Sequence, residues 1–325
     1  MTRPRNAMPP ARGIGGPRCV IISALPDRQN PTAASMPPPD STSNELIEQL
    51  SRNSTPYHDP LVRVNWEALS REQFWLPEDA VSLRGLPAYD ALPVERRRAL
   101  SQYEFLNFIE GGLWLEGIFM QRISLAAGGP CHDLASAAYR LHELREEAGH
   151  SLMFLELMKR ANMPLARTRF RRFNLANLLG RYAPPESPGF WMAVMVGEEV
   201  PDRMNRFVRK HREEVCPTIY DMVTAHVIDE ARHIAHARGT LDRRLERVSR
   251  LRLRLWQPVL EQALRYFVRV FYFPGPRVYE LAGLSPGSRW AKAARDNPQR
   301  IRFVDDCVRP TLRLLAERGV HLRWR

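Results

Sequence analysis

His226-Val-Ile-Asp229-Glu230-Ala-Arg232-His233 is the stretch on which the reading of this chain turns. Three side chains able to bind a metal stand there at i, i+4 and i+7. At about 100° per residue they fall within roughly 60° of one another on a helix. A second stretch, Glu147-Ala-Gly-His150, repeats the Glu-x-x-His part. Two such helices facing each other, with one further Glu from each of two neighbouring helices, are how a four-helix bundle builds a carboxylate-bridged two-metal site.

Working outward, the breakers and caps divide the chain into long helices. One begins at Pro93-Val-Glu-Arg-Arg-Arg and runs through Phe105, Phe108, Leu113, Phe119 and Ile123 to Gly128-Gly129-Pro130. Asp133 can cap the next, which ends before Pro164. Leu165–Gly180 reads as a basic amphipathic connector and Pro184–Pro188 as a loop. A third long helix starts near Gly189. A fourth follows Cys216-Pro217, with Pro at the helix start where its missing N–H costs nothing, and runs to about Arg247. Gln257–Phe271 and Ile301–Arg318 read as two further helices, separated by the loop Phe273–Pro276. Nothing alternates with period two for long enough to predict a sheet. The expected fold is all-α, a bundle of four long helices over about 94–247 with additional peripheral helices.

Glu147 and His150 then lie on the second long helix, Glu230 and His233 on the fourth. The first helix offers Glu110 and Glu116, and the third offers Glu198 and Glu199 inside the apolar run Phe190-Trp-Met-Ala-Val-Met-Val-Gly. Burying an unpaired carboxylate is costly, so acids in such a run call for a partner. Glu116 precedes Glu147 by 31 residues, and Glu199 precedes Glu230 by 31 residues. Matched spacing in two similar hairpins favours Glu116 and Glu199, with Glu110 remaining open. Asp229 and Glu146 each precede an expected bridging Glu. A carboxylate there can accept the N–H of a metal-bound imidazole and fix its tautomer; for Glu146 a plain surface acid explains the residue equally well. Pro201, inside the third helix, leaves the carbonyl four residues earlier without its partner and should bend the helix.

Composition bounds the alternatives. The net charge is +12, from 48 Lys plus Arg, of which only Lys159, Lys210 and Lys292 are lysine. Arg243, Arg244, Arg247, Arg250, Arg252 and Arg254 read as a solvated helix face, and no nucleic-acid-binding signature accompanies the charge. Cys19, Cys131, Cys216 and Cys307 are scattered without C-x-x-C, which argues against a zinc site or disulfide framework and points to a cytoplasmic protein. No apolar run approaches the roughly 18–20 residues of a membrane span. Residues 1–42 are expected to be a disordered Pro- and Arg-rich segment, with translation starting at Met36 or Met8, and residues 43–325 a single domain.

The pattern E…E-x-x-H…E…H-x-x-x-E-x-x-H resembles the p-aminobenzoate N-oxygenase family, ferritin-like diiron oxygenases. The likeness rests on about residues 95–240. It implies Glu116 and Glu199 as terminal ligands, Glu147 and Glu230 as bridging ones, and His150, His233 and His226 as nitrogen ligands. His226, one turn before the second Glu-x-x-His, is the feature that separates this family from diiron proteins with six ligands. The matching position before Glu147 holds Glu143, so the site is asymmetric. The bland alternative for His226 is a buried imidazole bonded to a backbone carbonyl.

The resemblance further implies two iron ions, O2 as co-substrate, and a small-molecule amine carried through hydroxylamine and nitroso stages toward nitro, in secondary metabolism. An external electron donor, a ferredoxin or flavin reductase, is implied with it, and a homodimer is among the expected assemblies. No membrane or nucleic-acid partner is expected. Competing readings are a diiron C–H hydroxylase or desaturase, and a non-catalytic ferritin-like iron-binding protein. Trp114, Phe119, Trp191 and Phe207 are aromatic candidates near a pocket, and core packing explains each equally well.

Overall fold

The computed structural model describes residues 41–127, 133–168, 170, 175–185 and 187–325. The expectation of disorder over residues 1–42 falls, for residues 1–40, outside them, as does the breaker Gly128–Pro130. The described residues are helical, with no strand among them.

Helix α1 (Ser41–Ser54) and the single turn α2 (Pro60–Arg63) lead into an irregular segment carrying α3 (Pro87–Asp90). The bundle follows as α4 (Val94–Ala127) and α5 (Leu134–Ala161), then, after the short α6 (Leu175–Tyr182), α7 (Pro188–Lys210) and α8 (Pro217–Leu245). The carboxylate of Asp133 accepts from the N–H groups of Ala135 and Ser136 and starts α5, the N-cap the sequence predicts. Asn162 closes α5 in the left-handed conformation, which its short polar side chain tolerates. Ser187 caps α7 through the N–H of Phe190, and Pro188 and Pro217 occupy the first turns of α7 and α8.

Helix α4 packs along α5, and α7 along α8; the two hairpins meet where α5 faces α8. Residues 100–109 of α4 are all buried, polar ones included. Polar groups there have a use: Gln102 donates to the carbonyls of Arg71 and Gln73, and Ser101 accepts from the N–H of Trp75. The irregular segment thereby wraps the central helix. Helices α1 and α2 lie across the seam between α5 and α8.

The remaining helices buttress the bundle. α9 (Arg250–Tyr272) packs on α7, α6 and α4, while α10 (Pro276–Leu281) and α11 (Gly287–Asp296) pack together and α12 (Pro298–Glu317) lies on α7. Sequence reading starts α9 seven residues late, at Gln257, because Pro258 resembles a helix start; Ser249 is the actual cap. It leaves α10, α11 and α6 unassigned, since pieces of six to ten residues carry too few periods to register.

Candidate metal centre

The i, i+3 spacing on α5 and α8 does what the helix period requires. Glu147, His150, Glu230 and His233 all point inward and are at most 2% exposed. Nδ1 of His150 lies 3.4 Å from Glu147 Oε2 and 3.6 Å from Glu230 Oε1. Nδ1 of His233 lies 3.1 Å from Glu147 Oε1 and 3.5 Å from Glu230 Oε2. Each of these two carboxylates therefore stands between both imidazoles, the placement a bridging ligand needs. His226, one turn earlier on α8, brings Nε2 to 3.3 Å from Glu116 Oε1 and 3.4 Å from Glu230 Oε1. The donors fall into two groups, Glu116, His150, His226, Glu230 and Glu147, Glu198, Glu230, His233, with the atoms of each group within 4.8 Å of one another. Glu230 belongs to both.

Six of the seven residues read from the sequence are in these groups; Glu199 is not. Its place is taken by Glu198, 32 residues before Glu230, against the 31 that separate Glu116 from Glu147. The two hairpins are similar but not identical in register, and one residue turns a helical side chain by about 100°. Glu199 faces the other way, where Arg238 donates to its Oε1 and Thr311 to its Oε2 at 2.6 Å. Glu110 is also outside the groups, its carboxylate turned to the backbone of Ala166 and Arg167 and pushed up in pKa by burial.

A second layer orients the imidazoles crosswise. Glu146 of α5 takes Nε2 of His233 at 2.9 Å, and Asp229 of α8 takes Nε2 of His150 at 3.3 Å. With Nε2 carrying the proton, each Nδ1 presents its lone pair to the centre. Arg232 donates to both carboxylates, at 2.7 Å to Glu146 and 2.9 Å to Asp229. Arg63 donates to Asp229 at 3.0 Å and to the carbonyl of Ala225. Burial pushes both acids up, but the neighbouring histidine and arginine outweigh it and hold Glu146 and Asp229 below the ordinary range.

Asn205, which the sequence reading passed over, has its amide 3.2 Å from Nδ1 of His226. With the amide oxygen turned to accept from Nδ1–H, Nε2 is free to ligate. Asn205 stands two helical turns after Glu198, on the same face, and that spacing was its signal. Arg63 had none, being 166 residues from its partner.

The residues fit a pair of divalent cations. Glu147 Oε1, Glu230 Oε2 and His233 Nδ1 are buried, converge on one space and lack a hydrogen-bond partner, which native interiors avoid. Burial and the neighbouring carboxylates drive Glu116 and Glu198 well above the ordinary carboxylate pKa. Against the upward push of burial, His226 and His233 hold Glu230 down at about 2. Four ionised carboxylates in one chamber are balanced by two doubly charged cations, and oxygen with imidazole donors suits iron or manganese. Four carboxylates and three imidazoles stand ready to share them, with Glu147 and Glu230 between the two positions.

The comparisons agree with this geometry. In the curated proteins, 224 residues match the "Uncharacterized protein Rv0885" of Mycobacterium tuberculosis and the "Uncharacterized protein Mb0909" of Mycobacterium bovis, each at 28% identity and over 65% of this chain. The matched region spans 64% of the length of these relatives. In solved structures the fold is similar to an R2-like ligand-binding oxidase with aerobically reconstituted Mn/Fe cofactor, at 14% identity and TM-score 0.51, covering 87% of this chain and 93% of that one. A point mutant of such an oxidase, with anaerobically reconstituted Mn/Fe cofactor, matches at 15% identity and TM-score 0.51 over 88% and 95% of the two chains. At these identities the likeness is one of fold, and it makes the helical bundle ferritin-like. Residues 40–319 match the family model of the P-aminobenzoate N-oxygenase AurF. The chain therefore belongs to the p-aminobenzoate N-oxygenase AurF family, and is an enzyme of the oxidase and oxygenase class.

Proposed function

We infer that this protein is a non-haem diiron oxygenase that uses O2 to oxidise an amine nitrogen. Glu116, Glu147, His150, Glu198, His226, Glu230 and His233 are its ligands, with Glu198 in place of Glu199. The observation that carries the reading is the pair of donor groups sharing Glu230, with His226 as a third imidazole in one of them. Two iron ions bound there supply two-electron reduction of O2, chemistry that belongs to the metal. The chain's own part is to hold seven donors in place, fix the tautomers of His150 and His233 through Asp229 and Glu146, and keep the space beside them dry. The balanced first turnover is R–NH2 + O2 + 2 e⁻ + 2 H⁺ → R–NHOH + H2O. Its electrons come from an external donor, a ferredoxin or flavin reductase.

Purified protein loaded anaerobically should hold about two irons per chain, as the four-carboxylate site implies. Glu230→Ala, which removes the ligand common to both groups, should hold fewer than one. With an arylamine under ¹⁸O2, label is expected on nitrogen. Label found only on carbon would assign the site to C–H hydroxylation instead, and full iron loading of Glu230→Ala would overturn the site itself.

A further inference from the structure

The cavity that touches the centre is walled by phenylalanine. Phe108, Phe119, Phe154 and Phe271 line it, beside four of the proposed ligands. Of the aromatic candidates in the sequence, Phe119 is there, whereas Trp114, Trp191 and Phe207 are not. Phe154 is stacked on the His226 imidazole, ring centres 5.5 Å apart. It lies so close to α4 that a Cβ on Gly112 would meet its ring at 2.9 Å, and glycine there lets the ring form the wall. Phe108 and Phe271 pack edge to face at 5.4 Å. The free volume is about 20 Å³. That admits one water-sized molecule, whereas a benzene ring needs on the order of 150 Å³, so an aromatic substrate enters only as these rings turn aside.

Charge is the more selective property. Among the described residues, no lysine or arginine lines the cavity. Apart from the four ligands, its polar side chain is Asn205, whose amide is already committed to His226. Two divalent cations and four carboxylates sum to zero, so the loaded centre has no surplus positive charge for an anion. A carboxylate on the substrate would be buried among apolar rings without a partner, and that is costly. A carboxylate that reached the metals instead would turn its own amine away from them.

We propose that the phenylalanine-walled pocket selects arylamines without an ionised substituent, and so disfavours p-aminobenzoate itself. The proposal rests on the dimetal reading of the site. It is tested on the iron-loaded chain under argon, by calorimetric titration with p-toluidine, p-aminobenzoate and the methyl ester of p-aminobenzoate. All three carry the same ring and amine; the ester is larger than the acid but uncharged. Toluidine and ester should each bind at least about tenfold more tightly than the acid. Equal or tighter binding of the acid overturns the proposal, and so does failure of all three to bind. Product analysis is scored separately: toluidine that binds but gains no oxygen on nitrogen overturns the N-oxygenase reading and leaves the charge selection standing.

Discussion

Glu198 and Glu199 are adjacent, buried and chemically identical, yet their surroundings give them opposite duties. Glu198→Ala should lose one metal group and leave the apo fold intact, because burial and the surrounding carboxylates make its charge unwelcome without a cation. Glu199→Ala should keep two metals and lose stability. It leaves Thr311 and Arg238, on α12 and α8, without their acceptor, a loss of about 1–3 kcal/mol in a urea titration of the apo protein. Metal retention by Glu198→Ala together with metal loss by Glu199→Ala would reverse the assignment. For Glu146→Ala, which strips the acceptor from His233 Nε2, the expectation is iron bound about 10–100-fold more weakly. Unchanged affinity in a competitive chelator titration would deny the orienting role.

Asp202 allows a pH prediction at the same scale. One of its oxygens accepts from Arg206 at 2.6 Å, but the other is buried without a partner. Burial pushes its pKa up to about 6, from an ordinary 3.8. The folded chain thus binds this proton more tightly than the unfolded one. The stability Asp202 contributes is present below about pH 4 and is lost as pH rises toward about 6. Asp202→Asn cannot ionise and should lack that slope. Native and variant apo proteins melted at pH 4, 5, 6 and 7 should diverge in favour of the uncharged variant as pH rises; parallel curves would show that Asp202 does not titrate in this window.

At the scale of elements, the long helices were legible because each carries its own punctuation. Asp133, Pro188 and Pro217 mark starts that the structure reproduces. The facing of α5 and α8 followed from two Glu-x-x-His motifs. What spacing left unresolved was the phase of α7 against α8, since one residue decides which of two acids faces inward. Arg63 and the crossing of α1 and α2 over the seam were illegible, because contacts between remote segments leave no local pattern. That crossing explains Gly149, which sits between Glu147 and His150 with Tyr57 and Pro60 close by. A Cβ there would meet Tyr57 Oη at 2.6 Å and Pro60 Cγ at 3.0 Å. Gly149→Ala should push the segment off α5 at a cost of about 1–3 kcal/mol, read as a lower Tm. An unchanged Tm would mean that the segment yields freely.

Over the whole molecule, the basic composition acquires a structural use. Arg247, Arg250, Arg252 and Arg254 sit on the solvated side of their helices, Arg250 and Arg252 fully exposed. Other arginines work as internal ties: Arg300, 3% exposed, donates to the carbonyls of Tyr272 and Ala80, and Arg122 to those of Arg181 and Ala183. A guanidinium with five donors in a fixed fork suits that task better than an ammonium, though nothing in a count of arginines distinguishes tie from surface. Among the described residues, no helix is long and apolar enough to cross a membrane. Because metals bind the folded state, removing them should lower the Tm of the entire chain in one step. A scan before and after chelation checks this, and superposed melting curves would contradict it.

The contact between Arg63 and Asp229 also carries a schedule. The two residues are 166 positions apart. A ribosome adding about 5–20 residues each second takes roughly 8–33 s to get from one to the other. During that interval Glu147 and His150 exist without the acid that steadies His150, and Arg63 waits without its acceptor. A nascent chain therefore has no finished cradle for iron until α8 has emerged, and loading belongs to the end of synthesis rather than to its course.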